Sequence, residues 1–187
     1  LYALRTGRIL PPLGYGTTIR GLRGSCDFCG LNYYTRDHVM FDLRRPQELF
    51  GRRFTPPDVP QGDVGRDGVS FGEIYPTGMY RALRRVAQLG VPIYVTETGV
   101  PDAVDDRRPR FILDHLAAVH RAIQDGVDVR GVFLWTLIDN FEWAEGWGLR
   151  FGLYALDRRT QERRLRPSGA LYAAIARANA IPGTNPY

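Results

Sequence analysis

Short, almost continuously apolar runs alternate along this chain with stretches of helical periodicity, and this alternation limits the fold more tightly than any other feature. Residues 92–96 form one such run, rich in β-branched side chains and ending in Glu97-Thr98-Gly99, and residues 131–137 form another. Helical spacing appears at Met79, Leu83 and Val86, before the stop signal Gly90-Val91-Pro92. It appears again at Ile112, Leu116, Val119 and Ile123, before Gly126. A last helix is predicted from Pro167-Ser168, with Leu171, Ala174, Ile175 and Ala178 on one face, and a first strand over residues 27–35. Strands that are apolar throughout are buried on both faces, so the pattern predicts an α/β fold of parallel βα units. Polar and aromatic residues gather just past the strand ends, which in a (β/α) barrel form the face that carries active sites.

The remainder of the chain bounds the reading. A length of 187 residues makes one domain or part of one, and 44% apolar with 24% charged residues excludes a disordered or collagenous chain. Residues 1–24 read as an irregular lead-in, and residues 44–72 are too rich in Pro, Gly and Arg for regular structure. All 25 basic residues are arginine, giving a net charge of +5, but their pairs are scattered rather than gathered on one face, so no nucleic-acid partner is expected. Cys26 and Cys29 cannot form a disulfide framework, and with no second CxxC or His pair they are expected to be buried or half-buried thiols. No metal and no cofactor are expected. The first ten residues lack a continuous apolar core segment and no run of 18 apolar residues exists, so no membrane partner is expected and cytoplasmic residence is the expectation.

Three clusters at or just past strand ends carry chemistry: Asn32-Tyr33-Tyr34, Thr96-Glu97-Thr98-Gly99, and Trp135 with Asp139 through Trp147. A Glu that ends an apolar strand is costly to bury unless paired, which marks Glu97 as functional, against the alternative of a solvated strand-end carboxylate. Trp135, Trp143 and Trp147 beside Glu142 and Glu145 suit a sugar ring, because indole stacks on the C–H face of a pyranose while carboxylates accept its hydroxyl hydrogens. Ordinary core aromatics beside a salt-bridged loop are the alternative.

Longer matches resolve these alternatives. Residues 27–35, Asp-Phe-Cys-Gly-Leu-Asn-Tyr-Tyr-Thr, resemble D-F-I-G-x-N-Y-Y-T of the family 1 glycoside hydrolases, the β-glucosidase and β-galactosidase family. Tyr94-Val95-Thr96-Glu97-Thr98-Gly99 is similar to its I-T-E-N-G segment, and residues 131–157 follow G-Y-F-x-W-S-L-x-D-N-F-E-W-x-x-G-Y-x-x-R-F-G-L-x-x-x-D almost throughout. The resemblance spans residues 21–178. It implies a (β/α)8 TIM barrel, of which residues 1–187 form a single incomplete domain of about three βα units, the sixth, seventh and eighth strands. It also implies hydrolysis of β-glycosides with retention, with Glu97 as the nucleophile and Tyr34 as its hydrogen-bond donor. Asn32 would line the same pocket, Trp135 would form a sugar platform, Glu142 and Trp143 would bind glycone hydroxyls, and Phe151 would stand nearby.

Thr98 stands where the family has Asn, and Cys29 where it has an aliphatic residue. More consequential is T-F-N-E-P, whose Glu is the family's general acid and base and which has no counterpart in the 187 residues. Glu73, Glu142 and Glu145 are the other candidate acids, none in a matching context. A retaining mechanism needs two carboxyl groups, and three strands cannot close a barrel. The expectation is therefore the C-terminal part of a retaining β-glycosidase, completed by a complementary N-terminal segment or by self-association. A non-catalytic truncated barrel that binds sugar or partners is the alternative. Glu142 would repel a phosphate, so the ligand expected is an unphosphorylated β-glycoside.

Overall fold

The computed structural model describes residues 1–182. Its centre is a three-stranded sheet in the order β3-β6-β7, parallel throughout, formed by Cys29–Asn32 (β3), Ile93–Thr98 (β6) and Val129–Leu134 (β7). Before it come α1 (Tyr2–Thr6) and a two-residue antiparallel pair, β1 (Arg8–Ile9) with β2 (Thr17–Thr18). After β3 the chain makes a hairpin, β4 (His38–Phe41) with β5 (Gly51–Phe54), then α2 (Pro76–Val86). Helix α3 (Arg108–Gln124) crosses from β6 to β7. A second hairpin, β8 (Tyr154–Leu156) with β9 (Arg163–Leu165), leads into α4 (Pro167–Ala178).

The parallel βα reading therefore holds for the sheet and its helices, with differences that have physical causes. The stretch 44–72 contains β5, because His38 to Phe41 pairs in register with Phe54 to Gly51 and the pairing does not depend on apolar alternation. The lead-in contains α1 and the short β1–β2 pair. The third strand stops at Leu134 rather than residue 137, since Thr136 turns to exchange backbone hydrogen bonds with Phe151 and Leu153. On α3 the buried stripe is Ile112, His115, Val119 and Ala122, spaced three, four and three apart, while Ile123 is exposed. An apolar count passes over His115, which is why that stripe was displaced. On α4, Ile175 is buried and Leu171 half-buried, but Ala174 and Ala178 face solvent.

One face of the sheet is covered. Ile93 and Val95 pack there against Met79 and Leu83 of α2 and Val119 and Ala122 of α3, and each fully buried aliphatic side chain contributes roughly 1.5–3 kcal/mol. A second cluster, Val100, Phe111, Ile112, Leu153 and Ile175, ties α3 to α4 behind the strand ends. On the opposite face Thr96 is exposed, and Phe28 and Phe133 are 56% and 58% exposed, a degree unusual for aromatics flanking or forming a central sheet.

Polar groups fasten the loops beyond the sheet. The buried Asp102 carboxylate accepts from the backbone N–H groups of Asp105, Arg107 and Arg108 and so caps α3. Burial pushes its carboxyl up, but the N–H donors of Arg108 and Arg107 and the charges of the same two residues outweigh it and hold the group below its ordinary value. Asp105 in turn binds the buried Arg108 guanidinium and accepts from both the N–H and the hydroxyl of Ser168 at the start of α4.

Candidate active site

The three clusters read from the sequence meet beyond the ends of β3, β6 and β7. Register places Asn32 opposite Glu97, after an irregularity in β3 between Leu31 and Asn32. Beyond it, the Tyr33 N–H donates to the Glu97 carbonyl at 2.9 Å. This turn of the chain brings Tyr34 onto the Glu97 side chain, where its hydroxyl donates to Oε2 at 2.6 Å. Burial first, then the hydrogen bond and charge of Glu97 and the charge of Glu142, push the Tyr34 hydroxyl above its ordinary value. It therefore stays protonated, a donor aimed at a half-buried carboxylate. Asn32 is held differently, accepting from the Thr96 hydroxyl at 2.7 Å on the exposed face.

From β7 comes the second half. Trp135 N–H donates to the Thr98 carbonyl at 2.8 Å, and the indole Nε1 donates to Glu142 Oε2 at 3.0 Å. The approach of this strand is so close that a Cβ on Gly99 would collide with the Trp135 carbonyl oxygen, so only glycine fits after Glu97-Thr98. The Trp135–Thr136 peptide is cis. Trp143 opens a short 3-10 turn at φ +45° and is 81% exposed as a residue, next to Glu142. Phe151 is buried, with its ring centroid 6.3 Å from that of Tyr34.

Several contributors were not legible as such. Asn140 donates to Glu142 Oε2 at 3.1 Å, giving that carboxylate a second donor. Phe71, from the breaker-rich stretch, packs 5.9 Å from Tyr34 and 5.1 Å from Phe151. Asp139 is buried and takes both terminal nitrogens of Arg166 at 3.0 Å, as well as the Gly152 N–H at 2.9 Å, which pins the loop that carries Asn140 and Glu142. The sequence signal for Asp139 and Asn140 was their place in the third cluster; Phe71 had none.

The other candidate acids are engaged elsewhere. Glu73 is buried between Arg36, at 2.6 Å, and His38, at 2.7 Å, and Glu145 accepts the Arg66 N–H at 2.7 Å. Cys26 and Cys29 carry free, partly buried thiols. Among the described residues no group of three or more His, Cys, Asp or Glu side chains could share a metal ion, and no helix is long and apolar enough to cross a membrane. The site can thus offer one carboxylate held by a tyrosine, and a second carboxylate flanked by indoles.

Known proteins share this sequence and fold. The model of the family described as "Glycosyl hydrolase family 1" matches residues 15–181. A β-galactosidase of Sulfolobus acidocaldarius is 38% identical over 169 residues, which cover 86% of this chain and 33% of that protein. Beta-glucosidase A of Thermotoga maritima is 34% identical, over 91% of this chain and 39% of its own length. Among solved structures, a β-glycosidase from Pyrococcus horikoshii superposes with a TM-score of 0.78 at 37% identity, covering 96% of this chain and 40% of that one. A Thermotoga maritima β-glucosidase in complex with castanospermine gives 0.72 at 32% identity, over 85% and 36%. The chain spans about a third of the length of the curated relatives it matches.

Proposed function

The chain belongs to glycosyl hydrolase family 1, and from that premise we propose that it is the C-terminal part of a retaining β-glycosidase acting on unphosphorylated β-glycosides. In this reading residues 1–187, of which 183–187 lie outside the described residues, are one incomplete barrel domain contributing strands six to eight. The observation that carries the proposal is the 2.6 Å hydrogen bond from Tyr34 to Glu97 at the strand ends. Glu97 attacks the anomeric carbon of the glycone while the bond to the leaving oxygen breaks, and that oxygen takes a proton from a second carboxylic acid. Water, deprotonated by that same second group, then releases the sugar and frees Glu97. Tyr34 holds the carboxylate in line for attack. Trp135 forms the sugar platform, Glu142 and Trp143 bind glycone hydroxyls, Asn32 lines the pocket, and Phe151 with Phe71 backs Tyr34.

The second carboxyl group must stand roughly 5–5.5 Å from the nucleophile. Glu73, Glu142 and Glu145 are each committed to other partners, which supports a general acid and base supplied by a complementary N-terminal segment or by another copy of the chain. The uncovered sheet face with Phe28 and Phe133 supports the same need. Those exposed aromatics also favour the second reading, a sugar-binding or interaction module without catalysis.

The two readings separate in one experiment. An aryl β-glucoside is assayed with the chain alone, and with an added segment that carries the missing strands. Turnover only in the mixture, abolished by Glu97→Gln while the mixture still assembles, is the expected result. An assembled complex without turnover would favour the binding module, and full rate in Glu97→Gln would remove Glu97 as nucleophile. A matched 6-phospho-glucoside tests the glycone: a dianion facing the Glu142 carboxylate is disfavoured by several kcal/mol at an effective dielectric of about 20, so a higher kcat/KM on it would overturn the assignment of Glu142.

A further inference from the structure

Tyr34 sits between two fastened points of the chain. Just before it, the Tyr33 N–H is held by the Glu97 carbonyl; just after it, the chain is fastened to Glu73. The Thr35 hydroxyl donates to the Glu73 carbonyl at 2.7 Å, and Arg36 and Glu73 exchange backbone hydrogen bonds at 3.1 and 3.3 Å. The two segments approach so closely that a Cβ on Gly72, which stands at φ +118°, would collide with the Thr35 hydroxyl.

The Glu73 side chain fastens the same segment a second time. Its Oε2 accepts from Arg36 Nε and Nη2 at 2.7 and 2.6 Å and lies 2.7 Å from His38 Nε2. One oxygen therefore holds residues 36 and 38 together, on a residue that is only 6% exposed. Burying a carboxylate is costly unless it is paired and hydrogen-bonded, so these donors cannot leave without stranding the charge. The Arg36 guanidinium also lies 3.9 Å above the Tyr75 ring, and the Tyr33 hydroxyl donates to the Tyr75 carbonyl at 2.6 Å. Residues 33, 35, 36 and 38 are thus all held by 73–75, and Tyr34 is carried among them with its hydroxyl on Glu97. Hydrogen bonds between oxygens span roughly 2.5–3.0 Å, so a shift of about 1 Å in this segment would break that contact.

We propose that Glu73 is a positioning residue for the nucleophile, acting through Tyr34: its buried carboxylate and its carbonyl fix residues 35–38 so that the Tyr34 hydroxyl stays on Glu97. The proposal rests on the glycosidase reading of Glu97 and Tyr34, and gives Glu73 the part of an anchor rather than of an acid.

The test reads the Tyr34 hydroxyl proton by NMR in the chain itself. With tyrosine labelled at Cζ, an equal mixture of H2O and D2O splits the resonance of each slowly exchanging hydroxyl, and Tyr34→Phe assigns the one that matters. Glu73→Met keeps an unbranched side chain but removes the acceptor. The Arg36 side chain is 41% exposed and can turn to water, so this variant should fold, which its unfolding midpoint checks. Its Tyr34 hydroxyl should exchange at least about tenfold faster than in the parent. Glu73→Gln keeps an oxygen for the same donors and should recover most of the protection. Tyr172, whose hydroxyl donates to the Val132 carbonyl at 2.6 Å, is the control and should not change. Parent-like exchange of Tyr34 in Glu73→Met, an equal acceleration at Tyr172, or no recovery in Glu73→Gln would each overturn the proposal. Should Glu73→Met fail to fold, Thr35→Val decides, since it removes only the hydroxyl on the Glu73 carbonyl. It should quicken Tyr34 exchange about threefold, and no change there would overturn the proposal. In the assembled glycosidase, Glu73→Met should lower kcat yet add no loss to that of Tyr34→Phe, whereas additive losses would overturn the route through Tyr34. Exchange is read without substrate, so an assembly without turnover would bear on the glycosidase reading alone.

Discussion

Replacing Asp105 by Asn removes one charge from a deeply buried ion pair and turns one of its two acceptor oxygens into a donor. Arg108 is 2% exposed and Asp105 9% exposed, and the carboxylate also takes the Ser168 N–H at 2.9 Å and the Ser168 hydroxyl at 2.6 Å. Asp105 sits at φ +65°, a conformation that Asn adopts as readily, so the substitution adds no backbone strain. Uncompensated buried charges cost about 3–5 kcal/mol. Two backbone carbonyls, of Asp102 and Arg150, still accept from Arg108 Nη2 at 2.6 and 2.7 Å and soften the loss. The expected destabilisation is therefore at the low end, about 3 kcal/mol, or a fall in Tm of roughly 6–12 °C for a chain of this size. Urea unfolding followed by tryptophan fluorescence reads it directly, with the slope unchanged if only the native state is affected. Adding Arg108→Met removes the stranded charge as well and should recover part of the loss. A loss below about 1 kcal/mol for the single variant, or a double variant no more stable than the single, would refute the claim that an unpaired buried guanidinium sets the cost.

Tyr34→Phe keeps the ring against Phe71 and Phe151 but deletes the donor to Glu97; a hydrogen bond to a charged group is worth about 1.5–3 kcal/mol, so kcat in the assembled glycosidase should fall roughly 10- to 100-fold. Steady-state kinetics showing a rise in KM with kcat intact would place the tyrosine in ground-state binding instead. Gly99→Ala drives a methyl group into the Trp135 carbonyl and should cost at least about 1–3 kcal/mol, seen as a lower midpoint together with altered tryptophan emission. His115 is pushed down to about 4 by burial, against the opposing hydrogen bond to the Phe111 carbonyl. The unfolded chain therefore binds this proton first, and the stability His115 contributes is complete above its ordinary pKa of about 6.5 and is lost as pH falls from there toward 4, by about 3 kcal/mol. The His115→Phe variant should flatten that part of the stability–pH curve; an unchanged slope would show that other groups produce it.

Much of the covered half of the molecule could be read from the residues alone. Apolar runs and helical stripes located β6, β7, α2 and α3, because burial imposes a period that the sequence must carry. The Tyr34–Glu97 pairing was anticipated only through the family resemblance, since nothing in either segment announces that the end of β3 turns onto β6. Hairpin β4–β5 stayed hidden because its stability comes from backbone pairing across an arginine-rich segment with little amphipathic alternation. Hairpin β8–β9 left one local mark, Asp157, whose carboxylate accepts the N–H groups of Arg159 and Thr160 in the turn. Asp139 with Arg166 and Asp105 with Ser168 are pairings between distant segments, and a carboxylate looks the same in sequence whether or not it finds such a partner.

The sheet also sets an order of assembly. Ile93 meets Val129 across a segment roughly half as long as the one separating Cys29 from Ile93, and halving a loop favours closure by about 0.6 kcal/mol, nearly threefold. The β6–α3–β7 unit is further favoured by a crossover that is mostly one continuous helix, whereas the path from β3 winds through a hairpin and a long loop before it reaches α2. Pulse-labelled hydrogen exchange should therefore protect the amides of β6 and β7 before those of β3. Glu97 rides on the early unit and Tyr34 follows β3. During folding the carboxylate is in position first, and the hydroxyl that steadies it arrives with the last strand of the sheet.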